Sequence, residues 1–157
     1  MAKYGQAIYG TVKYGSDALY IFDRTQADLD NNTAKAYINY SDLNRIETRM
    51  SELAELLTNA GYPVIINCKT DWTRHTSEID TIDIPTLTHL IRIHDNEETI
   101  ISQYFTYPTT PKLPSSFEKL TIYGANNIER ILWDIRRIIA GMQANYKECD
   151  TFYCGED

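Results

Sequence analysis

At 157 residues, 43% of them apolar, the chain has the length of one domain and the apolar content to build a core. Fifteen Lys and Arg stand against 22 Asp and Glu, and the net charge of −7 repels the phosphate backbone that a nucleic-acid binder must neutralise. No stretch approaches the roughly 18 apolar residues of a bilayer span, the amino end carries no basic-then-apolar leader pattern, and three cysteines, Cys68, Cys149 and Cys154, make a disulfide framework improbable. The expectation is a protein made and used in the cytosol, or released without a signal, with reduced thiols and with neither nucleic acid nor membrane as partner.

The first segment, residues 1–22, opens with Tyr-Gly pairs at Tyr4-Gly5, Tyr9-Gly10 and Tyr14-Gly15. Ile8 and Val12 favour extended backbone while the glycines interrupt any long strand, so an extended N-terminal arm is predicted, open to β pairing. Residues 147–157 form a second arm of similar chemistry, with Phe152 and Tyr153 beside Gly155. Tyrosine brings large contact area at low rotamer cost, and glycine permits close backbone approach, a combination suited to docking on another subunit. Tyr4, Tyr9, Tyr14, Phe152 and Tyr153 are the predicted partner contacts; the plainer alternative folds both ends back onto their own domain.

Between the arms, residues 23–146 read as a helical domain. Asp23 to Lys35 is polar and predicts a loop or short helical turn. A self-comparison at an offset of 82 residues then lays "INYSDLNRIETRMSELAELL" from Ile38 over "LTIYGANNIERILWDIRRII" from Leu120, pairing Asn44 with Asn126, Ile46 with Ile128 and Glu47 with Glu129. Each copy starts with an apolar residue, a capping residue (Asn39 or Thr121) and a second apolar residue four places after the cap, the pattern of an N-capped helix with a hydrophobic staple. Gly61 is placed to end the first helix, and Gly141 to weaken the end of the last.

A fainter third copy lies between them. Ile82, Asp83 and Leu87 repeat the staple and cap, Pro85 fits a first helical turn, and Leu90 stands where Ile46 stands; His94 and Glu97 fall where Met50 and Leu53 would be. The predicted fold is mainly α, a small three-helix bundle whose core includes Ile46, Met50, Leu53, Leu57, Leu87, Leu90, Ile128, Leu132, Ile135 and Ile139. "PVIINCKTDW" from Pro63 and "YPTTPKLPSS" from Tyr107 read as extended connectors, with Trp72 and Trp133 anchoring the bundle.

Candidate chemistry is sparse. His89 and His94 are five residues apart, a spacing that does not align them on one helix face; Cys149 and Cys154 lack two further soft ligands nearby; and Asp80 with Asp83, or Glu97 with Glu98, has no cleft to split its pKa values. No catalytic residues, metal ligands or cofactor are predicted. Trp72 beside Asp71 is the one pairing suggestive of sugar binding, though an anchor is the commoner role for such a tryptophan.

"FDRTQAD" from Phe22, "NYSDLNRIE" from Asn39, "DIPT" from Asp83, "TPKLPSSFEKLT" from Thr110, "ANNIE" from Ala125 and "FYCGE" from Phe152 resemble, in this order, segments of a small structural module in the tail regions of phages and prophages of Gram-positive bacteria. The resemblance implies a non-enzymatic component of a phage tail or tail-like particle at the baseplate, tail tip or fibre attachment. Its implied setting is a virion assembled in the host cytoplasm, as a homo-oligomer bound to other tail proteins. Two alternatives stand beside it: a tail-assembly chaperone absent from the mature particle, and a receptor-binding protein for host-wall glycan.

Overall fold

The computed structural model describes residues 20–73, 86–103 and 105–149. Within them the chain is mainly helical: α1 spans Gln26–Asp30, a 3-10 turn Ala34–Ala36, α2 Tyr40–Asn59, α3 Leu87–Ser102 and α4 Ile122–Cys149. The three long helices form the predicted three-helix frame, with α2 in the middle, packed against both α3 and α4. The predicted polar stretch after Asp23 supplies α1 and the 3-10 turn. No strand occurs among the described residues, and the predicted arms, apart from Tyr20 to Phe22 and Lys147 to Cys149, lie outside them.

Both strong helix starts form as their sequences dictate. Asn39 accepts from the backbone N–H of Ser41 and Asp42, while Asp42 accepts from the N–H of Asn39, closing a capping box. Thr121 Oγ1 accepts from Gly124 N at 3.0 Å at the start of α4. In each copy the staple residues, Ile38 with Leu43 and Leu120 with Ala125, lie in or against the core. α2 ends where Gly61 adopts φ +90°: Tyr62 N–H reaches Leu57 O and Gly61 N–H reaches Thr58 O, satisfying the last free carbonyls. Gly141 does not stop α4, which continues to Cys149.

The third copy departs from its sequence pattern. α3 is capped by Thr86, not Asp83: Thr86 Oγ1 accepts from His89 N–H, and Thr86 N–H reaches back to His89 Nδ1. With the helix beginning at Leu87, that residue is 51% exposed and leaves the predicted core, while Leu90 packs against the core's edge. The buried face of α3 is Ile93, Asn96, Glu97 and Ile100. Asp83 and Pro85 lie outside the described residues.

The remaining predicted core positions, Ile46, Met50, Leu53, Leu57, Ile128, Leu132, Ile135 and Ile139, are all buried. Tyr20, Val64, Trp72, Phe117 and Ile131 join them. Four of these five come from segments without regular structure, which lie across the helices as apolar lids. Tyr20, at the predicted arm boundary, is 3% exposed, so the chain is already part of the body before residue 23.

Candidate functional site

Asn44 and Asn126, matched by the internal repeat, do the same job on two different segments. The Asn44 side chain accepts from Trp72 N–H at 2.7 Å and donates to Trp72 O at 2.8 Å; Asn126 accepts from Arg24 N–H at 3.1 Å and donates to Arg24 O at 2.9 Å. A primary amide carries one acceptor and one donor edge, so it pairs with both polar groups of a single residue as a neighbouring strand would. One helical turn on, the matched glutamates complete the grip. Glu47 accepts from Lys69 N–H, and Glu129 from Ile21 N–H, each at 2.6 Å and each three residues before the clamped residue. The repeated Asn-x-Ile-Glu pattern thus holds an irregular segment at two points, with its isoleucine in the core.

Each glutamate also carries a charge neutralised inside the fold. Glu47 is fully buried and receives both Arg92 amino groups and the Trp72 indole N–H at 2.8 Å. Glu129 is 1% exposed and receives Arg24 at 3.0 Å and Arg45 at 2.7 and 3.0 Å. Asp42 also accepts from both arginines. Two guanidinium groups therefore meet two carboxylates in a closed network, whose Arg24 side chain is only 1% exposed. Burial alone disfavours the charged form of Arg45, but its bonds to Glu129 and Asp42 outweigh this and hold its pKa above the usual arginine value.

α3 repeats only part of this arrangement. Asn96 clamps Asn67, accepting from its N–H at 3.3 Å and donating to its carbonyl at 2.7 Å. Glu97, next in sequence, is fully buried, and neither carboxylate oxygen has a hydrogen-bond partner. Burial pushes its pKa well above the ordinary carboxylate range, and the negative charge of Glu129 adds to the shift. Its surroundings therefore favour the un-ionised form of the acid in the folded protein.

Other features of the surface are structural in character. His94 Nε2 stands 3.0 Å from Pro114 O and the ring packs edge-on against Phe117, so this histidine fastens the second connector to α3. Asp95 and Glu98 bring oxygens within 4.8 Å of a His94 nitrogen, but both are exposed and form a solvated helix face; we assign no metal ligand there. Cys68 is half-buried, and burial with the nearby Glu47 charge pushes its thiol up to about 11, which leaves it an unreactive packing group at neutral pH. An apolar cleft of about 590 Å³ opens at the first turns of α2 and α4, between Tyr37, Leu43, Leu90 and Tyr123.

The predicted contact residues Tyr4, Tyr9, Tyr14, Phe152 and Tyr153 all lie outside the described residues. Trp72 is 2% exposed with its N–H committed to Glu47, so it is the anchor of its connector and offers no open face for stacking a sugar. The sequence reading missed the roles of Asn44, Asn126, Glu47 and Glu129. Their signal was present in the repeat, because a polar pair recurring inside an apolar stripe has no reason to be there unless it is paired. No family model, curated protein or solved structure matches the chain, and no described helix is long and apolar enough to cross a membrane.

Proposed function

We propose that this chain is a non-enzymatic structural component of a phage tail or phage-derived tail-like particle, at the baseplate, tail tip or fibre attachment. It assembles with copies of itself and with other tail proteins in the host cytoplasm, through Tyr4, Tyr9 and Tyr14 of one arm and Phe152 and Tyr153 of the other.

One observation supports the reading most directly. Three of the segments that carry the tail-module resemblance meet in a single buried network: "FDRTQAD" supplies Arg24, "NYSDLNRIE" supplies Asp42 and Arg45, and "ANNIE" supplies Asn126 and Glu129. The distinctive residues of the sequence are thus spent on holding the chain's own segments in place. Arginine and carboxylate side chains bonded to one another inside a core are poor acids, bases or nucleophiles, whereas a scaffold benefits from the fixed geometry they impose.

The test is quantitative mass spectrometry of density-purified particles induced from the source bacterium, with copy number taken relative to the major tail-tube protein. A fixed low multiple per particle is the expected result. Abundance in the lysate with absence from particles overturns the reading in favour of an assembly chaperone.

A further inference from the structure

Glu97 is anomalous among the buried helix glutamates. Glu47 and Glu129 each receive a backbone N–H and at least one arginine, while Glu97, equally buried, has no hydrogen-bond partner on either oxygen. It occupies the turn between Ile93 and Ile100, on the face that docks α3 onto the rest of the bundle. A leucine or isoleucine there would complete the stripe, as Leu53 does at the corresponding place in α2.

We propose that Glu97 is a proton-operated latch: as an un-ionised acid it lets α3 lie in the bundle, and loss of its proton releases α3 from α2 and α4. The proposal does not depend on the tail-particle reading. Its physical basis is that an ionised carboxylate without partners is not tolerated in an apolar interface, so the group must stay protonated or the interface must open.

The surroundings offer no relief in the docked state. The charged groups buried in the neighbouring elements already have their own counter-charges: Asp42 and Glu129 with Arg24 and Arg45, Glu47 with Arg92, and Asp134 with Arg130. The charge felt at Glu97 is that of Glu129 on α4, of like sign. On its own helix, Arg92 is bonded to Glu47, His94 is turned to Pro114, and Asp95 and Glu98 are exposed; the connectors present half-buried Cys68 and Lys69 and the exposed Asp71, Lys112, Glu118 and Lys119. None of these bonds to Glu97.

The sign of the effect follows from proton counting. Docked α3 keeps the Glu97 proton to higher pH than released α3, whose carboxyl titrates at about 4.3 as an ordinary glutamate. Below that value both states are protonated and docking is at full strength. As pH rises through the interval up to the docked pKa, opening sheds one proton to solvent, so the opening constant grows about tenfold per pH unit.

Hydrogen exchange of the full-length protein, read by mass spectrometry on α3 peptides and corrected for intrinsic rates, tests this across pH 4 to 9 in wild type and Glu97→Gln. The expected result is an opening constant that climbs about tenfold per unit in wild type over that interval and stays flat in the amide variant. Equal slopes in the two proteins overturn the proposal, as does a flat wild-type profile. Should the variant fail to fold, the infrared carbonyl band of an un-ionised carboxylic acid in wild type is decisive: it must persist at neutral pH and disappear as α3 loses protection. Its absence from the folded protein at neutral pH overturns the latch.

Discussion

The α2–α4 pair and α3 bury the same kind of side chain with opposite provision for it. Among the described residues of α2 and α4, every buried carboxylate is bonded to arginine: Glu47, Glu129, Asp42 and Asp134 all have such a partner at 3.4 Å or less. On α3 Glu97 has none. A buried charge is strongly destabilising when one partner of its pair is removed, and an isolated one abandons its charge. The first region is therefore locked by ions that depend on each other, while α3, tied to α2 by Arg92 on Glu47, also carries an acid with no partner that must remain neutral to stay docked. The two parts of one small core should respond differently to substitution and to pH.

The largest effect is expected where the ion network is opened. Arg24→Ala leaves Arg45 as the one counter-charge shared by buried Glu129 and Asp42, with one negative charge uncompensated, and should lower unfolding stability by about 3–5 kcal/mol in urea titrations; a loss below about 1 kcal/mol would show that the network is not closed as described. The matched clamps come next. Asn44→Ala and Asn126→Ala each leave a backbone N–H and C=O without their partner, at an expected cost of about 1–3 kcal/mol, and the repeat's equivalence breaks if only one of the two is destabilised.

Glu97 reverses the direction. Glu97→Leu should raise the unfolding free energy at pH 7 by on the order of 1 kcal/mol or more, read from urea titrations, because it replaces an unpartnered acid with an apolar group in an apolar layer. The advantage should shrink below about pH 4 to the part that comes from burying an un-ionised, unpartnered acid, because there wild type carries a protonated side chain in both folded and unfolded states. A gain that is the same at every pH would mean that packing alone, and not protonation, separates the two proteins.

The smaller effects calibrate the rest of α3 and the surface. Thr86→Ala removes the cap that displaced Asp83 and should cost about 1 kcal/mol, read as faster exchange in the first turn of α3; no change there would return the helix start to the earlier residues. Asp71→Ala, whose partner Lys69 lies at 3.1 Å with Asp71 84% exposed, should move stability by no more than about 0.5 kcal/mol in thermal melts.

Much of the frame was determined by local sequence. Asn39 and Thr121 fix two helix starts because a cap needs only a side-chain oxygen and the first turn that follows it. Gly61 fixes an end because only the left-handed conformation satisfies the last carbonyls there. The stripes of α2 and α4 follow from apolar spacing alone, and Trp72 as an anchor follows from its size. In α3 the same reasoning misplaced the start and put Leu87 inside, since Asp83 and Thr86 are both competent caps and only packing chooses between them.

What the tertiary structure alone decided is which polar residues meet. Arg24 and Glu129 are 105 positions apart, and Glu47 and Arg92 are 45 apart, so no local pattern announces either pair. Burial turns those pairings into necessities, because a charge that water would solvate anywhere on the surface must find one particular partner once water is gone. Glu97 is the complementary case: its sequence reads as a flaw in an apolar stripe, and only the surrounding helices, by supplying no partner, make it an acid that keeps its proton.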